Sequence, residues 1–169
     1  MVQFQLRISA ELENLTNLQP HGGFDDANFT YMFKLRCGCG EVTEKETCVS
    51  LSETVPLPTG RGVAHLVQKC KFCGRSGTLA MITGQGRPLT DEASQSGSFT
   101  PAMVFDCRGF EPLEFHFSGK WQAESINGVK FEDIDLSDEY CAYDEKGECP
   151  VAISNPRAEF TKLSEKVGK

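Results

Sequence analysis

Cys37-Gly38-Cys39-Gly40 is followed thirty residues later by Cys70-Lys71-Phe72-Cys73-Gly74. Two close thiol pairs brought together offer four thiolates, a donor set that suits a tetrahedral zinc ion. A glycine after each pair permits the sharp turn that points backbone N–H groups toward sulfur. Zinc depresses the thiol pKa, so its ligands stay thiolates at neutral pH. With four protein sulfurs the ion has no open position for water or substrate, which argues against zinc catalysis. The candidate ligands of one zinc ion are therefore Cys37, Cys39, Cys70 and Cys73. Cys48 is held in reserve, because the C-x-C pair is one residue shorter than the C-x-x-C pair. A dithiol redox switch and unligated buried thiols are the competing readings. Lys69 and Lys71 flank Cys70, and their charge favours a thiolate in a zinc site and in a redox switch alike.

The other candidate side chains carry less chemistry. Cys48 and Cys107 adjoin apolar runs and are expected to be small core residues. Cys141 and Cys149 lie in an acidic segment and are expected to be free thiols. An even count of eight cysteines and the sequons Asn14-Leu15-Thr16 and Asn28-Phe29-Thr30 would suit a secreted disulfide protein. Yet no signal peptide is visible at the start, and 169 residues bury enough surface to fold without staples. A reducing compartment, the cytoplasm, is the expectation. His21, His65 and His116 are scattered, with no nucleophile and carboxylate in recognisable spacing. Gly60-Arg61-Gly62 lacks the lysine and following helix of a phosphate loop and reads as a turn. Nothing points to an enzyme.

Seventeen basic against 24 acidic residues give a formal charge of -7, a poor footprint for non-specific nucleic-acid binding. Eight acids fall within residues 132–148, where Lys146 is the only base, so the rest of the chain is neutral. A charge run of this kind reads first as a solvated loop, and more sharply as a surface for a basic protein partner. Asp133, Asp135 and Asp138 lack the spacing and central glycine of a calcium loop. No apolar run approaches the roughly 20 residues of a membrane-spanning helix. Neither a nucleic acid nor a membrane is expected as a partner, and the chain is expected to be a monomer.

The elements that must position the thiols are strands. Phe4, Leu6, Ile8, Ala10 and Leu12 alternate with polar residues, as a half-buried strand requires. Tyr31, Phe33, Leu35 and Cys37 repeat the pattern. Further strands are expected at 47–51, 63–69, 78–82, 103–107, 113–117 and 158–163, separated by Gly, Pro, Ser and Asn clusters. No long stretch has a helical period, so the chain is mainly antiparallel β. An internal echo at a shift of 70 relates Phe29-Thr30, Cys37 and Glu41 to Phe99-Thr100, Cys107 and Glu111, with Ala10 matching Ala80. The expectation is a duplicated β unit. Residues 1–77 carry the thiol pairs, and residues 78–169 lack a full ligand set and carry the acidic segment.

Several of these stretches resemble one family. They are Glu13 to Leu18, Cys37 to Glu41, Gly60-Arg61-Gly62 leading to Val67 through Cys73, Cys107 to Pro112, Phe131 to Asp135, and Tyr143 to Lys146. In order and over nearly the whole chain they resemble the eukaryotic CXXC-motif-containing zinc-binding proteins. The resemblance implies two β-barrel-like halves related by pseudo-twofold symmetry, with one zinc bound by two C-x-x-C pairs. Carried over by position, the ligands are Cys37, Cys39, Cys70 and Cys73, and this chain departs from the family pattern at its shorter first pair. The four cysteines alone are also similar to the zinc switch of bacterial redox-regulated holdase chaperones, where zinc release and disulfide formation activate the protein. The leading expectation is a non-enzymatic, zinc-stabilised β protein acting as an interaction module or adaptor. A thiol switch or redox-regulated holdase is the alternative.

Overall fold

The computed structural model describes residues 2–58 and 60–163. Among these residues fourteen strands follow one another, with one short helix between the eighth and ninth. The longest, β1 (Val2–Glu13), alternates Phe4, Leu6, Ile8 and Ala10 into the core, as its period of two requires. It is followed by β2 (Leu15–Pro20), β3 (Tyr31–Cys37), β4 (Thr47–Val49), β5 (Val55–Pro56), β6 (Val63–Ala64), β7 (Leu66–Lys69) and β8 (Ser76–Ile82). After α1 (Asp91–Gln95) come β9 (Thr100–Arg108), β10 (Phe110–His116), β11 (Trp121–Ser125), β12 (Lys130–Ile134), β13 (Tyr140–Asp144) and β14 (Cys149–Lys162). No helix among the described residues is long and apolar enough to cross a membrane.

The strands form a six-stranded antiparallel sheet in the order β13-β14-β1-β9-β8-β7. Two three-stranded sheets, β10-β3-β4 and β12-β11-β2, accompany it, with a small β5-β6 pair. Inward side chains from all three larger sheets meet in one cluster, so burial is shared along the whole chain. Its centre is aromatic: Trp121, Tyr31, Phe33 and Phe105 are fully buried. Their rings meet edge to face, as at Phe29–Trp121 (5.6 Å) and Tyr31–Phe105 (5.8 Å). That geometry sets the positive ring edge against the negative face. The buried Tyr31 hydroxyl donates to the Phe24 carbonyl at 2.8 Å, and burial pushes its pKa far up.

The chain is mainly antiparallel β, as its alternation indicates. Position 77/78 falls inside β8, and the six-stranded sheet combines β1, β7 and β8 with β9, β13 and β14. Residues 164–169, the end of the expected second unit, lie outside the described residues. Two expectations are corrected. Cys48 is exposed, because in β4 it alternates with the buried Thr47 and Val49. The acidic segment is not a loop: β12 and β13 run through it, with Ile134, Leu136 and Asp144 buried. Asp144 is held there by N–H donors, from the Asn127 side chain at 3.0 Å and the backbone of Lys146 and Gly147. These bonds, led by the Asn127 side chain, hold its pKa below the usual carboxylate range.

Candidate metal centre

Each thiol pair sits on a β-hairpin. In β3 the inward row Tyr31, Phe33 and Leu35 is buried, and Cys37 continues that row at the strand end. The Cys37 N–H donates to the Glu41 carbonyl at 2.8 Å, and the Gly40 N–H donates to the Cys37 carbonyl at 2.8 Å. This closes a three-residue loop, 38–40, whose last residue, Gly40, has φ +97. A three-residue hairpin needs a left-handed residue at that place, and glycine takes it without steric cost. The second hairpin repeats the scheme with one residue more. The Cys70 N–H donates to the Arg75 carbonyl at 2.8 Å, and the Gly74 N–H donates to the Cys70 carbonyl at 2.9 Å. Gly74 has φ +76 and ends a four-residue loop.

The unequal pairs thus follow from two hairpin lengths. In both, the first cysteine closes the hairpin and the second precedes the left-handed glycine. C-x-C fits a three-residue loop as C-x-x-C fits a four-residue one.

The corner between β9 and β10 lies against both hairpins. The Gly38 N–H donates to the Gly109 carbonyl at 3.1 Å, and Phe110 is the register partner of Cys37. On the other side the Phe110 ring rests on Gly77 of β8. With the hairpins so placed, the four Sγ atoms of Cys37, Cys39, Cys70 and Cys73 all lie within 4.8 Å of one another. Cys37 and Cys73 approach to 3.5 Å, and Cys39 and Cys70 to 3.8 Å. A tetrahedron with zinc–sulfur bonds of about 2.3 Å has edges of about 3.8 Å, so the residues fit the ion. All four thiols are free, and these separations are far beyond a disulfide bond.

The surroundings of Cys70 favour its thiolate. Backbone N–H groups of Cys73 and Phe72 pull the Cys70 thiol down to about 7. Cys39 and Cys73 are exposed, and Cys37 and Cys70 are half-buried. A cleft of about 560 Å³ adjoins Cys37 and Cys70, floored by Leu35, Gly77 and Phe110 and edged by Lys69, Lys71 and Arg75. Phe72, at the tip of the second hairpin, is 77% exposed.

The reserve ligand is elsewhere. Cys48 is opposite Met32 in the β3–β4 ladder, five residues up β3 from Cys37, or about 16 Å at the rise of a strand. Cys107 is buried, and burial pushes its thiol up to about 12, helped by the charges of Asp106 and Glu111. Cys141 is exposed and Cys149 half-buried, and both are free. The Nδ1 of His65 accepts the Met81 N–H at 2.9 Å, filling a ladder position, and burial lowers its pKa. Sequence spacing did not reveal that Gly77, Gly109 and Phe110 line the approach between the hairpins. Glycines inside or just beyond a strand were the available signal.

Comparison with known proteins places this chain. The family model "CXXC motif containing zinc binding protein, eukaryotic" matches residues 5–161. A Xenopus laevis protein named CXXC motif containing zinc binding protein is 39% identical over 165 residues, covering 96% of this chain and 99% of its own length. A Homo sapiens protein of the same name is 35% identical over the same shares of each chain. The crystal structure of C1orf123 matches with a TM-score of 0.83 at 34% identity, covering 95% of this chain and 99% of that one. A hypothetical protein from Plasmodium falciparum, 24% identical with a TM-score of 0.79, covers 95% of this chain and all of its own, and shares the fold. The chain belongs to the eukaryotic family of CXXC motif containing zinc binding proteins.

Proposed function

We propose that Cys37, Cys39, Cys70 and Cys73 hold one structural zinc ion, and that the surface it ties together serves as a protein-interaction module. The observation that carries this reading is the packing of four sulfurs at tetrahedral spacing on two hairpins. An ion closed by four sulfurs has no site for water, so the module is non-enzymatic. The exposed Phe72 and the adjoining cleft support a protein partner, because an aromatic side chain presented to water is a usual anchor of an interface. The module acts as a monomer in the cytoplasm, and neither nucleic acid nor membrane is its target. The exposed acids of β12 and of the turns that flank β13 are a second surface for a protein partner, of basic character.

X-ray absorption at the zinc edge, on protein purified without added metal, tests the site. One zinc per chain with four sulfurs near ~2.3 Å is expected. Cys48→Ala leaves the count at four. Loss of a sulfur in that variant, with Cys39→Ala unchanged, would overturn the assignment. The exposure of Cys39 and Cys73 favours a thiol switch as the second reading. Mild peroxide applied to the same sample separates the two: a structural site keeps its four sulfurs, whereas a switch releases zinc and forms disulfides reversibly.

A further inference from the structure

We propose that the β9–β10 corner, Arg108-Gly109-Phe110, is the spacer that sets the separation of the two thiol hairpins, and that Gly77 is the positioning residue on which it bears. The inference rests on the four-sulfur reading of the site. It concerns residues that bind no metal themselves.

The two hairpins belong to different sheets. The first extends β3, in the three-stranded sheet β10-β3-β4. The second joins β7 to β8, at the edge of the six-stranded sheet. No ladder connects β3 to β7 or β8 among the described residues, so their relative placement depends on what lies between them. The corner is chemically continuous with both sheets, since β9 pairs with β8 and β10 pairs with β3. It touches the first hairpin through the Gly38 N–H, which donates to the Gly109 carbonyl at 3.1 Å.

The contact with the second hairpin's strand is tighter. A Cβ built on Gly77 would lie 2.4 Å from Cδ2 of Phe110 and 2.8 Å from the Arg108 carbonyl oxygen. A Cβ on Gly109 would lie 3.1 Å from the Gly77 Cα, and Gly109 has φ +82. The corner therefore meets β8 with no side chain on Gly77 or Gly109 intervening. Gly77 is opposite Gln68, two residues from Cys70, and two residues beyond Arg75, which closes the hairpin. A displacement at Gly77 therefore passes to Cys70 and Cys73 within one turn of chain. Sulfur separations near 3.5 and 3.8 Å leave little slack, because metal–ligand distances must hold within about 0.2 Å. One added methyl at Gly77 exceeds that tolerance, since the Arg108 carbonyl it meets is backbone and cannot swing aside.

The test compares Gly77→Ala, Phe110→Ala and Gly128→Ala with the wild type. Gly128 has φ +87 and open space around it, in a turn outside both thiol hairpins. Its alanine variant therefore carries a backbone cost without touching the spacer. Chelator competition on the zinc-loaded chain is expected to show at least about a tenfold loss of affinity for Gly77→Ala, or about 1.4 kcal/mol. The tetrahedral absorption bands of the cobalt-substituted protein should shift in the same variant. Phe110→Ala, which leaves the backbone free of added bulk, should lose affinity in the same direction and covers the case in which Gly77→Ala fails to fold. Gly128→Ala should keep wild-type affinity and bands. In chelated protein, amide exchange of Gly38 should speed up at least about tenfold in Gly77→Ala, reading the spacer without metal.

Wild-type affinity, bands and Gly38 exchange in both folded spacer variants would overturn the proposal. A wild-type chain that takes up no zinc would instead overturn the four-sulfur reading, and the exchange arm would still decide the spacer.

Discussion

The thiol end of the molecule and its aromatic centre solve opposite problems. In the centre, Phe105, Phe33, Tyr31 and Trp121 are fully buried, and the rings grip one another across sheets that the chain crosses many times. At the thiol end, two hairpins from different sheets present half-buried and exposed sulfurs, with the β9–β10 corner and its Phe110 ring between them. Cysteine itself shows the contrast. Cys107 points inward from β9 and is a small apolar side chain with its thiol pushed up to about 12, whereas Cys70 is pulled down to about 7 by backbone N–H groups. Local dielectric and donor geometry, more than residue type, decide which cysteine does chemistry. A core placed by burial should tolerate loss of a metal, and the thiol end, held by the β9–β10 corner and by what its sulfurs bind, should not.

Four substitutions test that contrast. Phe105→Ala carries the largest expected effect: removal of a fully buried ring should cost about 3–5 kcal/mol in urea unfolding. Zinc stoichiometry should stay at one per chain, and metal loss in this variant would show that the two regions are not separable. Cys73→Ser is next. Elemental analysis should find the metal gone, with stability reduced by roughly 2.7 kcal/mol, the amount a ligand contributes at about a hundredfold excess over its dissociation constant. Its far-ultraviolet circular dichroism should remain that of a β protein, and collapse to an unfolded spectrum would mean that the core itself needs the ion. The smallest effects sharpen the comparison within the thiol end. Gly40 (φ +97) is further outside the left-handed basin than Gly74 (φ +76). Gly40→Ala should therefore cost about 1–2 kcal/mol and Gly74→Ala about 1 kcal/mol by thermal denaturation. The reverse order would indicate that the shorter hairpin has the slack and the longer one the strain.

Strands with clean alternation were legible in the sequence, among them β1 and β3, as was the continuous apolar run of β9. β2, β11, β12 and β13 were not. In β2 only Leu15, Leu18 and Pro20 point inward, at irregular intervals, because Asn17 at φ +57 breaks the pleat. In β11 the inward row is Trp121, Ala123 and Ser125, whose small and polar members give no hydrophobic signal. Charge concealed β12 and β13, since Glu132 and Asp133 lie on outward positions of β12, the one acid of β13, Asp144, turns in, and further acids fill the turns around them. Of the thiol cluster, spacing disclosed the two pairs and the glycine that each loop requires. It did not disclose the corner between them, because Gly109 and Phe110 lie more than thirty residues away in sequence from the Gly38 and Gly77 they meet.

β1 is central in the six-stranded sheet, with Phe4 opposite Phe105 on one side and Lys162 on the other. Among the described residues the first strand is thus completed by the last. During synthesis at ~5–20 residues per second, about 150 residues separate the two, a delay of roughly 8–30 seconds. Throughout that interval one edge of β1 has no native neighbour, while the cysteine hairpins, finished by residue 75, are already available to metal. Such non-local pairing places refolding in the slow, millisecond-to-second class of β proteins. The nascent chain thus has a ribosome-timed window in which an open strand edge is exposed to chaperones and to aggregation.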